Sequence, residues 1–382
     1  MKICVCKSDL GTSRNLHIVP GESFTWSDSH ADWCTHGRIW SIRDLARYQG
    51  KDLPKPASRY LNALNSLNAE SPAWQKILPP EEFKKFAKSY VDFCTEVYQS
   101  ASSYETQVFP LGNQILQELT QCNVNMDTLR SHLESDVDPG NKSTLQTFTR
   151  SAVTCYDRFA SVTGRTTVKS GPDILRLKRG FRDILIPESD SRCIKQVDII
   201  SLEPRICLLI DGQQPKRDIY EHISKNVFRG DVTRDVVKLA TICAMYGMSA
   251  DKLAQKIPVG SDAKRILGEV RSYFNIPTLL QRLKKQAAGG FIENHFGKRI
   301  NADLTSPLVN HFLQSSGVDV SLIFFWNLFE ASGRKMSPKF IIHDAMVFTC
   351  EKDDLQSIES IVDAGVEVQG IGKIDSKVKE VM

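Results

Sequence analysis

Phe340-Ile-Ile-His343-Asp344-Ala345-Met-Val-Phe348 is an apolar run interrupted once, by a polar pair. It predicts two strands joined by a tight turn, with His343 and Asp344 at the tip. A second stretch has the same character. Val197-Asp198-Ile199-Ile-Ser-Leu-Glu203-Pro-Arg205-Ile-Cys-Leu-Leu-Ile210 begins as a strand rich in β-branched residues and sets an acid at its edge. Each aspartate, taken singly, is either a solvent-facing end residue or a charge that needs a partner. On neighbouring strands the two would repel each other unless a divalent cation lay between them, and hard oxygen ligands of this kind suit Mg²⁺. The sharper reading of Asp198 and Asp344 is a two-metal phosphoryl-transfer site.

Between these stretches, Thr233 to Lys256 reads as one long helix closed by Ile257-Pro-Val-Gly. Within it Arg234, Lys238, Ile242 and Tyr246 recur at every fourth position. At 3.6 residues per turn each step drifts by only about 40°, so the four share one slowly rotating face. Two cations there suit a triphosphate, and Ile242 and Tyr246 offer apolar surface to a base and sugar. The alternative is a surface helix with a snorkelling Lys and a half-buried Tyr.

With 382 residues, 41% hydrophobic, 25% charged and 8% aromatic, the chain has room for two or three domains and an ordinary soluble composition. No apolar run approaches the roughly 18 residues of a membrane span. Its first residues turn polar by Lys7, too soon for a signal-peptide core, so a cytoplasmic location is expected. Net charge is only +4, but six Lys/Arg stand between Arg165 and Arg182 against one acid, Asp173. That stripe either neutralises phosphates or is a solvated loop face. The ten cysteines are scattered, several in apolar runs, which suits reduced thiols better than disulfides. Cys4-x-Cys6 and Cys34-x-His36 raise zinc as an option. Their spacing of one residue, against the usual two to four, favours ordinary thiols.

Residues 1–60 read as irregular, ending in the linker-like Asp52-Leu-Pro-Lys-Pro-Ala. Pro79-Pro-Glu-Glu opens a helix, and Leu111 to Leu133 predicts two helices broken around Asn123-Val-Asn.

From about 155 to 350 the chain resembles the family A DNA polymerases, the group of bacterial DNA polymerase I and many phage replicases. The resemblance rests on several short motifs in the family's order. Thr163-Gly-Arg165 is similar to its Thr-Gly-Arg segment, and Asp198-Ile-Ile-Ser-Leu-Glu203-Pro-Arg205 to its first metal motif. Asp218-Ile-Tyr220 stands where the family has Asp-Ile-His, and Arg234, Lys238, Tyr246 and Gly247 fit its fingers helix. Asn310-x₃-Gln314 resembles its minor-groove pair, and His343-Asp344-Ala345 its His-Asp-Glu.

The resemblance implies an α+β right-hand fold, with an antiparallel-sheet palm, helical fingers and a shortened helical thumb. The expected division is an N-terminal segment 1–98, thumb-like helices 99–162, palm 163–215, fingers 216–290 and the rest of the palm 291–382. Asp198 and Asp344, with Ile199 at the same site, would hold two Mg²⁺ ions, for which Mn²⁺ is a possible substitute. Lys238 would serve as general acid and, with Arg234, neutralise the triphosphate. Ile242, Tyr246, Glu203 and Tyr220 would complete the nucleotide site, Glu203 as the steric gate against a ribose 2′-hydroxyl. Arg165, Asn310, Gln314, His343 and Arg205 would grip nucleic acid.

Four departures matter. Ile242 replaces a Phe, Tyr220 a phosphate-contacting His, Ser201 a Gln, and Ala345 an acid. Single-subunit RNA polymerases share the first and last of these, but they typically lack a Glu at the position of Glu203, which favours deoxynucleotides. No Asp-x-Glu exonuclease signature is evident, and residues 1–98 are expected to dock a separate exonuclease or processivity subunit. The expected function is primer extension on primer–template DNA with dNTPs, in phage or mobile-element replication. The alternatives are an RNA-synthesising polymerase or primase of the same fold, or a decayed structural subunit.

Overall fold

Ile3–Val5 (β1), Asn15–Ile18 (β2), Phe24–Ser27 (β3) and Trp33–Cys34 (β4) form a four-stranded sheet in the order β3-β2-β1-β4. The first three pair antiparallel, and β4 lies parallel to β1. This corrects the irregular reading of residues 1–60. Each strand is two to four residues long, too short for a period-two pattern to stand out, so cross-strand pairing rather than local sequence makes the sheet. The computed structural model describes residues 2–19, 24–31, 33–36, 41–66, 73–135, 138–258 and 262–381. It divides into two units, Met1–Pro110 and Leu111–Met382.

In the first unit, helix α1 (Ile42–Tyr48) is closed by a capping box between Ser41 and Asp44. Residues 51–57, the linker-like stretch, carry neither helix nor strand. Helix α2 (Pro80–Gln99) starts where Pro79-Pro-Glu-Glu places it, with Pro80 at its first position and Glu81 and Glu82 in its first turn. Its apolar stripe Phe86, Tyr90, Cys94 and Val97 is buried, and the helix packs on β1.

The second unit is built on another four-stranded sheet. Arg192–Ile199 (β5), Ser337–Ile342 (β6), Ala345–Glu351 (β7) and Ser376–Lys379 (β8) run in the order β6-β7-β5-β8, antiparallel throughout. Phe340, Ile342 and Val347 turn one face onto a core of Leu129, Leu145, Phe148, Ile174 and Ile184. Phe109–Gln117 (α3) and Met126–Glu134 (α4) are the two expected helices, and Asn123–Val124 between them pairs as a short strand.

After β5 come Leu202–Ile210 (α5), Ile219–Asn226 (α6), Arg234–Met245 (α7), Ala250–Ala254 (α8), Ala263–Tyr273 (α9) and Ile276–Ala287 (α10). The 24-residue helix α11 (Leu308–Ala331) is apolar around nearly its whole circumference and packs on α5 and α10. That is the pattern of a helix buried in the middle of a domain. No helix among the described residues is long and apolar enough to cross a membrane. The α+β class expected from sequence is the one observed.

The single helix expected over Thr233–Lys256 is two, α7 and α8, broken at Tyr246-Gly247. Gly247 takes φ +69°, its N–H donates to Ala244 O (3.4 Å), and Met248 N–H donates to Cys243 O (2.9 Å). This is a Schellman stop, which satisfies two terminal carbonyls and ends the helix at the glycine. Ile257-Pro258 follows α8, and Val259 and Gly260 lie outside the described residues.

Candidate active site

Strands β6 and β7 are joined by the two-residue turn His343-Asp344, with His343 at φ +57°, the left-handed geometry that such hairpins demand. Ala345, the next residue, lies opposite Asp198 on β5, and Ile199 N–H donates to Asp344 O at 3.0 Å. Two acids 146 positions apart in the chain thereby come to neighbouring backbone positions. Burial pushes the Asp344 carboxyl above the usual carboxylate range, and the charge of Asp198 pushes it further. On the far side of β5, Lys379 of β8 places its Nζ 2.6 Å from Asp198 Oδ2. Paired carboxylates whose charges work against each other are a donor set that fits a divalent cation.

Two residues after β5, Ser201 takes φ +49° and turns the chain directly into α5. Glu203 in its first turn thus reaches a cleft of about 300 Å³. Eight of the sequence-predicted residues line that cleft: Arg165, Glu203, Tyr220, Ile242, Tyr246, Gln314, His343 and Asp344. Ser201, singled out as a departure, also lines the wall, with Thr241, Met245, Gly317 and Ser321, which no local pattern marks out. Ile242 and Tyr246 leave 38% and 40% of their surface exposed, large apolar groups facing an open cleft.

The polar groups are linked. Tyr246 and Gln314 line the cleft beside Glu203; burial raises the Tyr246 phenol and the charge of Glu203 raises it further, and Thr163 Oγ1 donates to Gln314 Oε1 at 2.9 Å. Burial raises the Glu203 carboxyl, with Asp344 adding to the rise and Arg165 opposing it. Arg165 Nη2 lies 3.3 Å from His343 Nδ1; burial lowers the His343 pKa, and the Arg165 charge lowers it further. Gly164 takes φ +76°, a left-handed backbone that favours glycine, and a Cβ there would stand 1.8 Å from Lys298 Nζ and force that side chain to move.

The remaining predicted residues sit elsewhere. Arg234 opens α7, where its Nε bonds Asp218 Oδ2 (2.8 Å) and its guanidinium lies 5.6 Å from the Tyr220 ring centre. Lys238, one turn on, is exposed. Asn310 lies one turn before Gln314 on α11 and does not line the cleft. Ile199 has its side chain buried and its N–H engaged, leaving only its carbonyl oxygen as a metal donor.

Arg205 is a correction. It is wholly buried, pairs with Asp375 (2.8 Å) and donates to the carbonyls of Ile200 and Arg217. A guanidinium so enclosed ties α5 to the chain around it and is out of reach of nucleic acid. Lys379 is the residue that sequence reading missed. Only the pairing of β8 with β5 brings it to Asp198.

No family model matches the chain. Among curated proteins it is similar to DNA polymerase I of Aquifex aeolicus (strain VF5), 24% identical over 243 residues, covering 56% of this chain and 42% of that protein. The chain thus spans less than half the length of this relative. Among solved structures it is similar to the POL domain of Pol1 from M. smegmatis in complex with DNA primer-template and dNTP. That match has a TM-score of 0.61 and 14% identity, over 96% of this chain and 91% of the other. The resemblance read from the motifs is therefore met again in overall sequence and in fold.

Proposed function

We propose that this chain, which has the fold of a DNA polymerase I polymerase domain, is a family A DNA polymerase that extends a primer with dNTPs on template DNA. The observation that carries this reading is the convergence of motifs spread from Arg165 to Asp344 on one cleft beside the Asp198–Asp344 pair.

In this reading β5, β6, β7 and β8 form the palm and α6 to α10 the fingers. Asp198, Asp344 and the Ile199 carbonyl would hold two divalent cations, taken to be Mg²⁺, which would supply Lewis-acid activation of a primer 3′-hydroxyl and charge neutralisation at a departing pyrophosphate. The protein's own groups do the rest. Arg234 and Lys238 lie one turn apart on α7 and draw the triphosphate to that face, and Lys238 gives a proton to the leaving group. Tyr246 and Ile242 close on the nascent base pair. Glu203, beside Tyr246 in the cleft, fills the space that a ribose 2′-hydroxyl would need. Arg165 and Gln314 contact the primer–template from the cleft wall, and Asn310 from the preceding turn of α11.

Primer extension with labelled primer–template, Mg²⁺ and either dNTPs or NTPs tests this. The expected result is extension with dNTPs that falls roughly a thousandfold or more in Asp344→Ala, as loss of several kcal/mol of charge stabilisation requires. Equal activity in the two proteins refutes the mechanism. Preferential use of NTPs favours the ribonucleotide-polymerising alternative, which the Ile242 and Ala345 departures leave open.

A further inference from the structure

Cys4, Cys6 and Cys34 bring their three Sγ atoms within 4.8 Å of one another inside the N-terminal unit. All three are buried, 0%, 5% and 7% exposed. A spacing of one residue is wrong for a knuckle turn but right for a strand, where alternate side chains share a face. Cys4 on β1 and Cys6 just beyond its end are such a pair. The parallel register of β1 and β4 then sets Cys34 directly beside Cys4.

The surroundings hold this arrangement in place. Thr35 N–H donates to Cys4 O (2.8 Å), and Cys6 N–H donates to Thr35 Oγ1 (2.8 Å). Thr35 Oγ1 in turn donates to the buried carboxylate of Asp9, which also bonds His36 Nε2 and Arg43 at 2.8 Å each. As protonated thiols, Cys34 and Cys6 donate to the carbonyls of Ala31 (3.2 Å) and His36 (3.7 Å). Apart from these and one another, the cluster's partly buried neighbour is Ala31. His36, whose Nε2 bonds Asp9, lies outside the set: among the described residues only the three sulfurs come within 4.8 Å of one another.

We propose that Cys4, Cys6 and Cys34 form a three-thiolate site for a thiophilic divalent cation, with Zn²⁺ the natural occupant. Sulfur ligands select zinc over magnesium, so the site is chemically separate from the Asp198–Asp344 pair. A metal there would clamp β4 to β1 and so fasten both ends of the segment between Cys6 and Cys34.

The test uses the full chain, purified under reducing conditions, stripped with chelator and given zinc. Elemental analysis is expected to find about one zinc per chain, held against magnesium in excess. Cobalt in its place is expected to show thiolate-to-metal charge-transfer absorption. Cys4→Ser and Cys34→Ser should each lose that absorption and most of the zinc, while Cys155→Ser, an exposed thiol outside the cluster, should keep both. Wild-type chain that takes up no zinc overturns the proposal, as does a cobalt spectrum without thiolate bands, or zinc retained when all three cysteines are replaced. A measurement on wild type alone covers variants that fail to fold. Zinc should shield three thiols from an aromatic disulfide reagent until chelator is added, and unchanged thiol reactivity refutes the site.

Discussion

At the scale of single residues, Asp344 is held in the cleft at a cost. With Asp344 raised by burial and by the charge of Asp198, ionising it opposes folding until a cation is bound. Asp344→Asn should therefore leave the cation-free protein at least as stable as wild type and abolish the stabilisation that added Mg²⁺ gives wild type. Thermal denaturation with and without Mg²⁺ checks both halves, and equal Mg²⁺ stabilisation of variant and wild type would count against Asp344 as a ligand. Lys298 supplies a pH dependence. It is buried beneath Gly164, and burial lowers its pKa from 10.5 to about 8, the charge of Asp319 partly opposing the drop. Between those values the unfolded chain binds the extra proton, so this contribution to stability rises with pH from about 8 to 10.5. Below that window the buried charge costs on the order of 3 kcal/mol. Lys298→Met should flatten the rise and be the more stable protein at neutral pH. Urea denaturation of both proteins at the two ends of the window measures it, and parallel profiles would refute it.

At the scale of elements, the end of α7 shows how a local signal sets the site. The four-residue recurrence from Arg234 to Tyr246 was legible because helix geometry depends only on near neighbours. The stop at Gly247 was also written in the sequence, but the helix was read through it. A Cβ on Gly247 would meet nothing within 4 Å, so only its φ of +69° makes glycine necessary. Gly247→Ala should cost about 1–2 kcal/mol through backbone strain alone. Because Tyr246 caps this helix and lines the cleft with Glu203 and Gln314, the same change should raise the KM for nucleotide more than it lowers kcat. Chemical denaturation and steady-state kinetics test the two parts. The sheet of the first unit went the other way. Its strands are too short to announce themselves, and only their pairing defines them.

At the scale of the whole molecule, charge distribution matters more than the net +4. Lys169, Arg176 and Lys178 of the basic stripe are exposed, although Arg176 and Lys178 also pair with acids. If the stripe follows a nucleic-acid backbone, Lys169→Ala should weaken DNA binding evenly across sequences and reduce the slope of log affinity against log salt by about 1. Titrations at several salt concentrations decide it, and an unchanged slope assigns Lys169 to a solvated face. By itself the sequence determined the β6–β7 hairpin with its acidic tip, the acid at the end of β5 and the face of α7. Each depends on residues within one or two turns of chain, where side-chain period and backbone sterics are local. Tertiary structure alone decided that Arg205 is sealed against Asp375, that Lys379 meets Asp198, and that three cysteines converge on one point. Partners 170 or more positions apart in the first two cases, and about thirty in the third, are set by strand register and burial, and nothing in a local pattern encodes which distant group will arrive.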